Sequence, residues 1–320
     1  MRRTARRFFV LPIVLIFGAF QAATPPRRII SIVPAVTEML FAIGAGPRVI
    51  AISSFDNFPP EARQLPRVGA LLDPNLEMIL SLRPDLVVVY KSQTDLITQL
   101  TRANIPTFSY AHGGLADIVS TIEALGRLTE AVEGAQSLAR RLNERLDAVR
   151  ARVGSRPRPR VLLVFGRDAR SLRNIYASGG TGFLHDMIDL AGGDNVFRDV
   201  KRESVQATTE AILTSAPDVI IELRYTGDMA PDALDRERLT WNGLSAVPAV
   251  RTGRVHFLVG DEFVVPGPRI GEATERMARA IHPEAFRLGD HEQSSVVSHQ
   301  LSAISSSTST STKNQATTQH

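Results

Sequence analysis

Along residues 28–259, short apolar runs alternate with stretches in which apolar positions recur every three or four residues. Continuous apolar runs suit strands buried on both faces of a parallel sheet, and the longer spacing suits helices packed against it. The runs predict strands at residues 29–33, 49–53, 86–90, 107–110, 161–165, 219–223 and 255–259. Their alternation with helical stretches predicts an α/β fold with mainly parallel sheets. Val132, Ala135, Leu138, Leu142, Leu146, Val149 and Val153 form one apolar stripe, with arginines and acids between them. Residues 131–153 therefore read as a single amphipathic helix about 34 Å long. Arg156-Pro157-Arg158-Pro159 cannot continue it. The pattern divides the chain into a first lobe at 27–130, a linking helix at 131–157 and a second lobe at 158–286. In residues 287–320 Ser, Thr, Gln and Asn dominate, and a segment with so little apolar surface to bury is expected to be disordered.

The two lobes share a repeat. Glu77-Met-Ile-Leu-Ser-Leu-Arg-Pro84-Asp85-Leu-Val-Val returns as Glu210-Ala-Ile-Leu-Thr-Ser-Ala-Pro217-Asp218-Val-Ile-Ile, offset by 133 residues with Glu, Ile-Leu and Pro-Asp in register. Each copy reads as a short helix, a Pro-Asp stop and a buried strand. A weaker echo aligns the segment from Phe41 through Gly46 to Val49 with that from Ile188 through Gly193 to Val196. Two matches in the same order indicate a duplicated lobe.

Composition narrows the chemistry. With 43% hydrophobic and 22% charged residues in 320, the chain is of ordinary globular type. Its longest apolar segment, residues 8–20, has thirteen positions, short for a helix that crosses hydrocarbon. Arg2, Arg3, Arg6 and Arg7 precede that segment and account for the whole formal net charge of +4. Small residues Ala19, Ala22 and Ala23 stand at and just beyond its end, so residues 1–26 read as a secretory signal. The basic excess then belongs to an address and not to a nucleic-acid face, and the body is expected in the periplasm. The general secretory route is expected ahead of the twin-arginine one. Phe20 and Gln21 crowd the position three residues before a cut, which leaves an uncleaved anchor as the second outcome. Zero cysteines exclude a disulfide scaffold, thiolate metal sites, iron–sulfur clusters and a lipid-anchoring cysteine.

No Walker loop, G-x-S-x-G elbow or H-E-x-x-H motif occurs. Ser178-Gly-Gly-Thr-Gly182 resembles a phosphate loop only loosely and reads as a strand-to-helix turn. No two histidines have metal-ligand spacing, so a metal site built by the protein is not expected. Ligands of open α/β sheets collect beyond the carboxyl ends of strands. Those ends carry Phe55, Tyr90, His112, Arg224 with Tyr225, and Asp261 with Phe263, a mixture suited to a large, partly apolar ligand. Asp261 and Glu262 are adjacent in the chain and point apart when extended, which argues against a shared catalytic role and against an enzyme. Glu77 and Glu210 fall in first helical turns, where the helix dipole favours a carboxylate by a few tenths of a kcal/mol. That both lobes keep an acid there suggests two symmetric anchors for arginines of a two-fold partner.

The residues also carry a family resemblance. Arg28-Ile-Ile-Ser31, Pro34, Thr37-Glu38, Phe58-Pro59-Pro60-Glu61-Ala62, Val68-Gly69, Asn75-Leu76-Glu77, Pro84-Asp85-Leu86-Val87 and Pro266-Gly267-Pro268-Arg269 resemble the helical-backbone substrate-binding proteins of ABC importers. The similarity covers residues 27–284 and is nearest to the cobalamin binders, with siderophore and haem binders close by. It implies two Rossmann-like lobes joined by a single long helix and a transported metal chelate such as cobalamin held between them. No resident cofactor is implied. It also implies a monomer that docks on an inner-membrane permease dimer through Glu77 and Glu210. Cobalamin binders of this type line the cleft with several tryptophans, whereas here Leu71 or Leu72, Tyr90 and Ser204 occupy the corresponding places and Trp241 is the only indole. The candidate ligand-binding set is accordingly Phe55, Tyr90, His112, Arg224, Tyr225, Trp241, Asp261 and Phe263. An iron-siderophore, haem or a free metal ion is the alternative cargo.

Overall fold

A computed structural model describes residues 24–225 and 231–287. The predicted signal and the Ser/Thr-rich tail lie outside the described residues except at their innermost positions. In the first lobe β1 (Ile29–Ser31), β2 (Val49–Ile52), β3 (Leu86–Tyr90) and β4 (Thr107–Tyr110) form a fully parallel sheet in the order β2-β1-β3-β4. Helices α1 (Pro34–Ala42), α2 (Leu76–Ser81) and α3 (Thr94–Arg102) make the crossovers, and α4 (Leu115–Leu128) follows β4. The helix α5 (Val132–Val153) then runs to the second lobe.

The second lobe holds β5 (Arg160–Gly166), β6 (Ile175–Ser178), β7 (Asp194–Asn195), β8 (Ser204–Ala207), β9 (Val219–Arg224) and β10 (Val255–Val259). Their order is β10-β9-β5-β6-β8, with β7 beside β5. This sheet is mixed: β6 pairs antiparallel with both β5 and β8. Its helices are α6 (Phe183–Leu190), α7 (Thr209–Ser215), α8 (Pro231–Thr240), α9 (Pro248–Arg251) and α10 (Ile270–Ile281).

Period-two alternation sorts each strand between cores. Leu86 and Val88 of β3, Val161 and Leu163 of β5, and Val219 and Ile221 of β9 enter one central core with α5 and α10. Their neighbours Val87 and Val89 face an outer core of the first lobe, and Leu162, Val164 and Ile220 an outer core of the second. The central core is continuous through both lobes because Ala135, Leu138, Leu142, Leu146, Val149 and Val153 of α5 all turn into it. At Gly134 a Cβ would meet the carbonyl oxygen of Ile43 at 2.2 Å, so glycine is what lets α5 lie directly on the first lobe's backbone.

Two polar links also bind the lobes. Leu115 donates its backbone N–H to Asp186 of the second lobe at 2.9 Å. Arg269 Nε donates to buried Glu38 Oε2 at 3.0 Å, with its guanidinium 4.2 Å from the ring centroid of Phe58. Among the described residues no helix is long and apolar enough to cross a membrane.

Candidate ligand-binding cleft

The carboxyl ends of the strands face each other across a cleft of about 800 Å³. Ser53, Phe55, Leu71, Leu72, Tyr90 and His112 line the first lobe's wall, and Tyr225, Asp261, Val264 and Val265 line the second lobe's. Phe55 and Tyr225 are 71% and 62% exposed, so both rings are presented to the cleft without being consumed by packing. A mostly apolar wall with a few polar groups suits a flat organic ligand of substantial size.

Tyr90 and Tyr110 end adjacent parallel strands in register, with ring centroids 6.2 Å apart. The His112 ring lies 5.6 Å from Tyr90 and 5.4 Å from Tyr110. Burial, and then the charge of Asp56, push the Tyr90 phenol up to about 12. Tyr110 is raised by burial as well. Both hydroxyls therefore stay protonated and able to donate at neutral pH. Desolvation lowers His112 below its ordinary value, against the opposing pull of Glu203, although the residue keeps substantial exposure. Its imidazole is neutral at pH 7 and has a lone pair for a donor or a metal. Behind this wall, buried Asp56 accepts the Ser53 backbone N–H at 2.9 Å, while its Oδ1 has no hydrogen-bond partner. Burial raises its pKa, with hydrogen bonds from Ser53 and Thr37 opposing.

Of the residues expected to touch ligand, Phe55, Tyr90, His112, Tyr225 and Asp261 converge on this cleft. Three are placed elsewhere. Trp241 is fully buried in the outer core of the second lobe, where its indole N–H donates to Glu222 Oε2 at 2.8 Å. Arg224 pairs with Glu222 and Glu237, and Arg167 binds the same two acids beneath it. Phe263 is fully buried in the central core, with the Arg276 guanidinium 4.6 Å from its ring centroid. These side chains are held by internal partners, which corrects their assignment to the cleft wall. Val264, Val265 and Asn57, not singled out from the sequence, do line it. They flank Asp261 and Phe55 just beyond strand ends, and that position is the signal that would have found them. Asp261 and Glu262 lie in a 3-10 turn, not an extended segment, and Glu262 pairs with Arg269 and Arg276.

In the glycine-rich turn between β6 and α6 two of the backbone N–H groups are already engaged. Gly179 and Gly180 donate their N–H groups to Glu203 O at 3.0 Å and Val200 O at 2.8 Å. Cβ atoms there would strike the carbonyls of Arg202 and Arg198 at 2.0 and 1.9 Å, so the glycines serve close backbone packing.

Outside the cleft the repeat has a structural basis in both lobes. Asn75 Oδ1 accepts the Met78 N–H at 2.9 Å and Thr208 Oγ1 accepts the Ala211 N–H at 3.1 Å, capping α2 and α7 alike. Each helix is followed by a left-handed residue before proline, Arg83 at φ 48° and Ala216 at φ 41°. The ensuing aspartates hold the start of each lobe's first strand: Asp85 accepts the Arg28 N–H at 2.8 Å, and Asp218 the Arg160 N–H at 2.9 Å. These contacts explain the Pro-Asp pair, and they leave Glu77 and Glu210 exposed.

Comparison with known proteins agrees with this architecture. The family model described as "Periplasmic binding protein" matches residues 29–261. An uncharacterised ABC transporter substrate-binding lipoprotein of Bacillus subtilis is 27% identical, covering 87% of this chain and 88% of that one. A vitamin B12-binding protein of Vibrio parahaemolyticus is 28% identical over 80% of this chain and 90% of its own. A periplasmic heme-binding protein of Roseiflexus, solved in apo form, superimposes with a TM-score of 0.68 at 25% identity, covering 81% of this chain and 99% of that one. The match over most of the folded chain is decisive: the protein belongs to the periplasmic binding protein family.

Proposed function

We propose that this protein is the periplasmic substrate-binding component of an ABC importer. It captures a corrinoid of the cobalamin type between its lobes and delivers it to the inner-membrane permease. The observation that carries the reading is the interlobe cleft of about 800 Å³, in which Phe55 and Tyr225 present open aromatic faces from opposite lobes. A rigid planar macrocycle fits between such faces, and Tyr90, His112 and Asp261 supply hydrogen-bonding groups for its polar edge. Similarity to vitamin B12-binding proteins supports the corrinoid, and similarity to ABC substrate-binding proteins supports the permease. Proteins of this kind bind and release without turnover, so no catalytic group is assigned. Among the described residues no three His, Cys, Asp or Glu side chains converge to hold an ion.

Haem is the second reading, favoured by one specific feature. Tyr90 and the neutral His112 lie side by side on the wall, and both are side chains that ligate haem iron. Visible absorption titration of the exported protein with cyanocobalamin, haem and a ferric siderophore tests both. A one-to-one response to cyanocobalamin below about 10 μM, roughly −7 kcal/mol, supports the corrinoid. A haem spectrum that changes on Tyr90→Phe or His112→Ala, with no cobalamin response, transfers the proposal to haem. Silence with all three ligands overturns it.

A further inference from the structure

The repeat extends beyond its glutamates. Read along the two repeat copies, positions 75–82 and 208–215 have the same burial class at every one of the eight residues. Ile79 and Ile212 are fully buried and anchor the helices, and Glu77 and Glu210 stand exposed. Three residues beyond each glutamate, and therefore on the same helical face, stands an exposed leucine: Leu80 at 38% and Leu213 at 43%. Neither belongs to any of the three apolar cores. A single exposed leucine needs no explanation. Two at equivalent positions of a duplicated helix, each beside an exposed acid, form a repeated epitope.

Each copy follows a segment that approaches the cleft. The lining segment Ala70, Leu71, Leu72 and Asp73 leads directly into α2. Glu203, whose charge acts on His112 from the other lobe, directly precedes β8, which leads into α7.

We infer that Leu80 and Leu213 are docking residues, each filling an apolar socket beside the cationic site that receives Glu77 or Glu210 on a two-fold permease dimer. This inference rests on the transport reading above. The occupant follows from symmetry and charge: a surface that presents the same acid–leucine pair twice, once per lobe, is complementary to a partner that presents one socket per subunit. The acids steer the encounter and fix its register, and the leucines supply burial that salt does not screen.

The test is docking of the exported protein to the permease–ATPase complex of the same cell, reconstituted in nanodiscs and followed by surface plasmon resonance at low and high salt. Leu80→Ser with Leu213→Ser is expected to weaken docking about tenfold or more. The salt dependence should persist, and ligand titration and thermal unfolding should match wild type, showing an intact fold. Leu80→Met with Leu213→Met, which keeps the apolar volume, is expected to dock like wild type. Normal docking by the serine variant, alongside failure of Glu77→Ala with Glu210→Ala, would overturn the leucine assignment and leave the transport reading standing. Failure of the wild-type protein to dock at all would overturn both.

Discussion

The two lobes are alike at the helices α2 and α7 and unlike where they face each other across the cleft. The helices α2 and α7 share their side-chain caps, their left-handed residue before proline and their pattern of exposure. The cleft walls share almost nothing. The first lobe offers an aromatic cluster of Tyr90, Tyr110 and His112 with the exposed Phe55. The second offers Tyr225, Asp261 and two valines, while the charged residues at its β5 and β9 ends are locked into a buried network of Arg167, Arg224, Glu222 and Glu237. On the proposed reading, duplicated features answer to one partner with repeated sockets, and divergent ones to a ligand without internal symmetry.

Mutations should separate the two regions. The largest effect is expected from Glu77→Ala with Glu210→Ala. Removing two desolvated charge partners should cost docking at least about a hundredfold and abolish uptake of labelled ligand, with affinity in solution unchanged. Loss of solution affinity instead would place these acids in the cleft or in the fold. Phe55→Ala with Tyr225→Ala should do the reverse. Each ring contributes about 1–2 kcal/mol of contact, so calorimetry should show a dissociation constant raised about thirtyfold or more, with docking of the ligand-free protein retained.

Trp241→Phe should affect neither docking nor affinity. It removes the indole N–H from Glu222 and should lower stability by about 1–3 kcal/mol, read in urea unfolding. An affinity change would return this residue to the cleft wall. The smallest effect concerns pH. His112 is held below its ordinary value of 6.5, first by desolvation. Below pH 6.5 the unfolded chain therefore binds more protons than the folded one, and stability falls as pH drops through the lowered value. Charging the ring also alters the wall, so affinity should decline over the same window. His112→Gln should flatten both profiles.

Much of this was legible in the sequence where burial is two-sided. All seven expected strands form, because runs such as Leu86-Val-Val-Val-Tyr90 face apolar cores on both sides. The linking helix starts within one residue of its expected position because its stripe faces one continuous core. The strands β6, β7 and β8 escaped detection. All three are short, β7 and β8 are partly polar, as in Ser204-Val-Gln-Ala207, and pairing with neighbours defines them more than pattern does. The misplaced Trp241 has the same origin. Its fate is fixed by Glu222, a lone acid inside the apolar strand β9, and a buried acid demands donors that only the folded arrangement supplies. Position after a strand leads to the cleft wall where the side chain has no internal partner, as at Phe55 and Tyr225, and away from it where it has one, as at Arg224.

The central claim is that the lobes present one repeated face to the permease and two different walls to the ligand. Hydrogen–deuterium exchange of the exported protein, alone, with ligand and with the reconstituted importer, tests it most directly. The account predicts that the importer protects residues 75–82 and 208–215 together and to a similar degree. Ligand should instead protect segments around Phe55, Tyr90 and Tyr225 and leave both helices unchanged. Protection of only one helix by the importer, or of both helices by ligand alone, would contradict it.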